Sequence, residues 1–142
     1  MTIEEINKLK EATQIFKNYA FSNEQIRLII SACREEVLSV EQIEVFAKPK
    51  FDDKQMKAIM YAFKIDVPID IVVRYADLRY DDSLMIRIFE DYSLRGLTTE
   101  EIDEYLEYWN TEEWRFRRYR VLEKKHERNK KEIMKMIKVV EN

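Results

Sequence analysis

One stretch of this chain recurs 29 residues later with its chemistry largely intact: Phe46-Ala47-Lys48-Pro49-Lys50-Phe51-Asp52-Asp53-Lys54-Gln55-Met56, then Tyr75-Ala76-Asp77-Leu78-Arg79-Tyr80-Asp81-Asp82-Ser83-Leu84-Met85. An aromatic-Ala pair opens each copy, an aromatic-Asp-Asp triplet follows, then Met, and Ile59 and Ile88 continue the register. Units of this size bury their apolar faces by stacking on one another, and the stack offers a surface to partners. Such a repeat constrains architecture first and function second.

Helix beginnings are marked chemically. A Ser or Thr followed three residues later by Glu or Gln satisfies two orphan amides reciprocally. Thr2 with Glu5, Ser22 with Gln25, Ser39 with Gln42 and Thr98 with Glu101 have this spacing, and Asp52 with Gln55 is a variant. Asp81 caps at the matching place, and Pro68 suits a first turn, where its missing amide is not missed. Helices are therefore expected to start near residues 3, 23, 40, 53, 68, 82 and 99.

Each unit reads as a longer helix, a turn and a shorter helix. The longer ones are expected over 23–36, 53–64 and 82–95, and the shorter over 40–46, 68–76 and 99–109. Phe21, Phe51 and Tyr80 precede the caps, Ile26, Met56 and Met85 begin the apolar stripe, and Phe46, Tyr75 and Tyr105 close the short helices. These aromatics read as core and staple positions rather than as a ligand cage. Gly96, after Leu94-Arg95, suits a left-handed helix end.

Composition agrees with an all-α fold. One Gly and two Pro in 142 residues leave few positions for hairpin turns or phosphate-cradling loops, and 37% charged with 46% hydrophobic residues is what amphipathic helices require. The expected organisation is an array over 1–110, with units at about 18–46, 47–75 and 76–106, and a long basic helix over 111–142. No apolar run reaches the ~18 residues that span a bilayer, and the N-terminus lacks a basic region followed by an apolar run, so a cytoplasmic protein is expected.

At these residues the chain resembles a helical repeat found in tandem in uncharacterised proteins of gut Firmicutes and their integrative elements, with units reading roughly YA-x-P-x-FD-x-x-QM-x-x-I-x-x-G-x-x-x-GL. Phe46 to Met56 match best. Tyr75 to Ile88 match with Leu78 in place of Pro and Leu84 in place of Gln, and Arg95-Gly96-Leu97 fits the GL. The middle copy has Ile65-Asp66-Val67 there, and the first keeps only Tyr19-Ala20, Phe21 and Gln25-Ile26. The resemblance covers about 18–106 and carries no catalytic residue. It implies a mobile-element or phage context in a low-GC bacterium. Cargo proteins of that kind often bind and inhibit host machinery, CRISPR effectors included, so an anti-CRISPR-like inhibitor is the specific form of interaction it implies.

Catalytic chemistry is not announced. The single histidine, His126, sits among Lys124, Lys125, Arg128, Lys130 and Lys131, without the His, Cys or carboxylate cluster that zinc requires. The lone Cys33 continues the stripe Ile26, Ile29, Ile30, Val37 and reads as a buried structural thiol. Asp52-Asp53, Asp81-Asp82, Glu100-Glu101 and Glu112-Glu113 read as caps and acidic first turns rather than as cation sites. Neither an enzyme nor a cofactor or metal site is expected.

Charge is distributed unevenly. Residues 1–113 hold 14 Lys/Arg against 24 Asp/Glu, whereas residues 114–142 hold 11 against 4. Arg115, Arg117, Arg118 and Arg120 alternate with Trp114, Phe116 and Tyr119, and Lys124, Lys125, Arg128, Lys130 and Lys131 follow. Arginines with aromatics can neutralise phosphates and stack on bases. Against that stands a run of seven acids without a base from Glu100 to Glu113, which could fold back on the basic helix. The segment Glu123 to Glu132 has no apolar residue and is expected to be solvated all round, while Ile133, Met134, Met136, Ile137, Val139 and Val140 could dock on the array or on another chain.

Two readings of function follow. The first is a non-catalytic interaction protein that binds and modulates a protein partner, such as a nucleic-acid-handling enzyme. The second is a nucleic-acid-binding protein that uses Trp114 and the cations of 115–131. A homodimer through Met134, Ile137 and Val140 is also compatible with the pattern.

Overall fold

A computed structural model describes residues 3, 4, 7, 20–34 and 38–141 of the chain. Among these, every regular element is α-helical: α1 Asn23–Arg34, α2 Val40–Phe46, α3 Asp53–Lys64, α4 Ile69–Tyr75, α5 Asp82–Ser93, α6 Thr99–Leu106 and α7 Glu113–Glu141. Three helices of 12 residues alternate with helices of 7, 7 and 8, and α7 runs for 29. The chain forms two compact units, Met1–Leu94 and Arg95–Asn142, so the expected unit 76–106 is shared between them. The expected cap Thr2 with Glu5, the residues 18–19 and the end of the first long helix at 35–37 lie outside the described residues.

The helix starts follow from local chemistry. In α2, α3 and α6 the capping boxes of Ser39 with Gln42, Asp52 with Gln55 and Thr98 with Glu101 are complete. Ser22 and Gln25 make the same reciprocal pair, at 3.2 and 2.8 Å. Asp81 accepts from the Leu84 N–H at 2.8 Å, but Leu84 cannot return the bond. Pro68 departs from the expected first-turn position. It is the extended N-cap of α4, with ψ 151°, and the helix begins one residue later. The expected helix over 99–109 also ends early, at Leu106, with 107–110 in turns.

In the first unit α3 is the hub, packing against α1, α2, α4 and α5. It buries Met56, Ala58, Ile59, Met60, Ala62 and Phe63, and α5 adds Leu84, Met85, Ile88 and Phe89. Fully burying one such large side chain contributes roughly 1.5–3 kcal/mol. Phe46, Phe51, Tyr75 and Tyr80 are all buried in the same unit, as core rather than as a ligand surface. Cys33 is buried too.

Polar side chains stitch successive long helices together. The Gln25 amide caps α1 with its oxygen and donates its Nε2 to the Phe51 carbonyl at 2.5 Å. Gln55 does the same for α3, donating to the Tyr80 carbonyl at 2.9 Å. One residue type thus serves a local cap and a contact between helices. The series stops at α5, where Leu84 holds that position. Tyr61 donates to Glu90 at 2.9 Å, and the Ser93 hydroxyl donates to the Ile65 carbonyl.

The end of α3 explains a departure noted in the sequence. Asp66 has φ 64°, and Gly96 beyond α5 has φ 67°. The Val67 N–H reaches the Ala62 carbonyl at 3.0 Å and the Asp66 N–H reaches Phe63 at 3.1 Å, which is a Schellman motif. Asp66 therefore occupies the left-handed position without a glycine.

Candidate interaction surface on the C-terminal helix

In the second unit α6 packs on α7. Ile102, Tyr105 and Leu106 are the buried residues of α6, and Val121 is the buried residue of α7. Around Val121 the packed face of α7 continues through Trp114, Arg117, Arg118, Leu122 and Lys125, all partly covered. These positions recur at helical spacing, so one stripe is turned inward and the rest of a 29-residue helix is left to solvent.

Electrostatics tie the two helices together at Glu101. Arg128 approaches its carboxylate at 2.6 Å and Lys125 at 3.4 Å. Burial is the strongest single influence on this carboxyl and opposes its ionisation. The Thr98 backbone N–H, the Arg128 guanidinium, the Lys125 ammonium and the Thr98 hydroxyl together outweigh it and hold the group below its ordinary 4.5. Acid run and basic helix do meet at the Glu101 carboxylate. The centre of α7 is accordingly not solvated all round, because Lys125 and Arg128 lean onto α6 through this pair.

The expected site residues separate into two groups. Arg117 is structural: its guanidinium lies 4.4 Å from the Tyr108 ring centroid and 3.5 Å from Glu113. Its Nε is buried and finds no hydrogen-bond acceptor among the described residues, so the ring face takes the place of an oxygen. Trp114 and Arg118 are half-buried on the same side. Arg115, Arg120, Lys124, Lys130 and Lys131 are exposed and have no carboxylate within ion-pair distance among the described residues. Arg115 stacks 5.5 Å from the Trp114 ring and Arg120 5.5 Å from Phe116.

An open groove of about 630 Å³ runs along this flank, floored by Val121 and edged by Glu101, Glu104, Lys124, Arg128 and Lys131. Its rim carries both signs of charge. His126 is exposed on another face of the helix. Among the described residues no cluster of three His, Cys, Asp or Glu can hold a metal ion, and no helix is long and apolar enough to cross a membrane.

The feature that composition did not single out is the extent of exposed apolar surface on α7. Phe116, Tyr119, Ile133, Met134, Met136, Ile137, Val139 and Val140 are all exposed. The sequence marks the last six as an apolar run, but Phe116 and Tyr119 join them only once the inward face of the helix is known. No protein-family model, curated protein or solved structure matches the chain.

Proposed function

We propose that this chain is a non-catalytic protein-interaction module that docks on a protein partner through α7 and modulates it. One observation carries the reading: a single helix leaves eight large hydrophobic side chains exposed beside five exposed cations without carboxylate partners among the described residues. Apolar patches rimmed by charge are what protein interfaces are built from. The resemblance of residues 18–106 to tandem repeats of mobile elements supports the finer form, a phage- or element-encoded cytoplasmic protein that inhibits a host nucleic-acid-handling enzyme in the anti-CRISPR manner. Charge asymmetry along the chain supports an encounter steered by complementary fields and weakened by salt.

A second reading has its own observation. Arg115, Arg120, Lys124, Lys130 and Lys131 are free to meet phosphates, with Phe116 and Tyr119 exposed for base stacking. Affinity capture from bacterial lysate, split into nuclease-treated and untreated halves, separates the two. A stoichiometric protein that survives nuclease and is lost when Arg120, Lys124 and Lys131 are changed to Glu supports the interaction module. Recovery of nucleic acid, or of proteins that vanish with nuclease, overturns it in favour of the second reading. Arg117 and Arg118 are poor choices for reversal, because both are partly covered within the unit.

A further inference from the structure

The exposed face of α7 has a period. Phe116, Glu123, Lys130 and Ile137 fall seven residues apart, as do Tyr119, His126, Ile133 and Val140, and together they form alternating three- and four-residue steps along one face. That is the a/d seam of a coiled coil, about 36 Å long at 1.5 Å per residue. All eight positions are exposed, and none belongs to the stripe packed on α6. Phe116 is 60% exposed, Tyr119 63%, Ile133 56%, Ile137 43% and Val140 86%. Among the described residues the seam is therefore uncovered, apolar at both ends and polar at Glu123, His126 and Lys130 in its middle.

The residues on this seam are complementary to their own reversal. In an antiparallel pair each a position faces a d position of the other helix. Phe116 then faces Val140 of a second copy, Tyr119 faces Ile137, Glu123 faces Ile133 and His126 faces Lys130, and every layer occurs twice. Both ends of the seam become aromatic-on-aliphatic layers, which the apolar end of a single helix cannot make with itself in the same direction. Beside the seam, Leu122 comes opposite Met136, and Glu127 comes beside Lys130 and Lys131 of the other copy. A parallel pair would instead stack Glu123 on Glu123 and Lys130 on Lys130, so charge selects the antiparallel arrangement.

We propose that the exposed seam of α7 is closed by a second copy of this chain, in an antiparallel two-stranded coil centred near Arg128. The apolar ends of the seam, which match in reverse, and Glu127 beside Lys130 and Lys131 of the second copy favour that occupant. Lys124, Lys131 and Lys138, which repeat every seven residues and are exposed, remain on the flank of each helix. The dimer thus presents two basic flanks to the protein target. This inference rests on the reading of α7 as the contact element and names the partner of its apolar face.

Sedimentation equilibrium of the full chain, from about 1 to several hundred micromolar, is the test, since a seam with polar central layers associates within that window. The expected result is a rise from one to two chain masses with concentration, abolished by Ile133→Asp with Ile137→Asp at unchanged helix content. Both residues are exposed, so the fold is retained. Orientation is read by oxidative cross-linking. Asn129→Cys lies near the twofold axis and is expected to cross-link to itself, whereas Ile137→Cys is expected to cross-link only when mixed with Tyr119→Cys. The buried Cys33 of the wild type supplies the background. A monomer at every concentration overturns the proposal, as does a dimer insensitive to the two Asp changes, or self-cross-linking of Ile137→Cys without that of Asn129→Cys. A wild-type monomer that still captures a foreign protein through α7 would leave the interaction reading standing and remove only this inference. A dimer that captures nothing would do the reverse.

Discussion

The helices of the first unit and the C-terminal helix use the same amphipathic grammar and reach opposite ends. In 12 residues α3 buries seven, among them Met56, Ile59, Met60 and Phe63, because α1, α2, α4 and α5 surround it. In 29 residues α7 buries only Val121. A helix surrounded by neighbours has its apolar surface already covered, whereas a long helix packed on a short one within its unit leaves most of its own exposed. The difference separates what holds the first unit together from what stays exposed on the second.

The sharpest way to break that comparison is to truncate one side chain in each region. Phe89→Ala, at a fully buried site of α5, is expected to cost about 3–5 kcal/mol in urea unfolding. Ile137→Ala in dilute protein should cost under about 0.5 kcal/mol, since the side chain is exposed. Equal costs would mean that α7 is as enclosed as α5. Next in size is Gln55→Leu, which installs the residue that α5 carries at the matching place. It removes the cap to the Asp52 N–H and leaves the buried Tyr80 carbonyl without its donor, at roughly 1–3 kcal/mol. A neutral result would show that the Gln series between long helices is ornamental.

Smaller effects sharpen the account of the turns. Gly96→Ala meets no atom within 4 Å, so its penalty is the positive φ alone, about 1–2 kcal/mol. Asp66→Gly, at φ 64°, should raise the melting temperature by relieving the same constraint, and an unchanged or lower value would show that the aspartate is not strained there. The smallest effect is electrostatic. Glu101 is held below 4.5, so its contribution is present above that pH and is lost as pH falls through the depressed folded value. Both tryptophans, Trp109 and Trp114, lie in the second unit, so their fluorescence reports on it selectively. Acid should loosen that unit slightly in the wild type, and Glu101→Gln, which keeps a capping oxygen, should flatten the dependence.

Much of the fold was legible because its signals are local. The first residues of α1, α2, α3, α5 and α6 directly follow the caps read from Ser22, Ser39, Asp52, Asp81 and Thr98, since a cap declares itself within one turn. Ends were harder. Nothing such as Gly or Pro marks the break after Leu106, and Asp66 shows that a left-handed turn can form where no glycine advertises it. The second role of Gln25 and Gln55 was illegible, because their amide donors reach carbonyls 25 or 26 residues away. On the candidate surface, counting charge located the basic helix but could not say which cations face inward. That depends on what packs against α7: Lys125 pairs with Glu101 of α6, Arg117 lies over Tyr108 in the turn that follows α6, and Arg118 is partly covered, whereas Arg120, Lys124 and Lys131 stay exposed.

The central claim is that the outer face of α7 is open within one chain and closed by a partner. Amide hydrogen exchange of the full chain, followed peptide by peptide in dilute and in concentrated protein, tests it most directly. The account predicts slow exchange in α3 and α5 at both concentrations, and fast exchange over residues 132–141 in dilute protein that slows markedly at high concentration. Slow exchange over 132–141 in dilute protein, matching α3, would show that this face is already covered within the chain and would contradict the account.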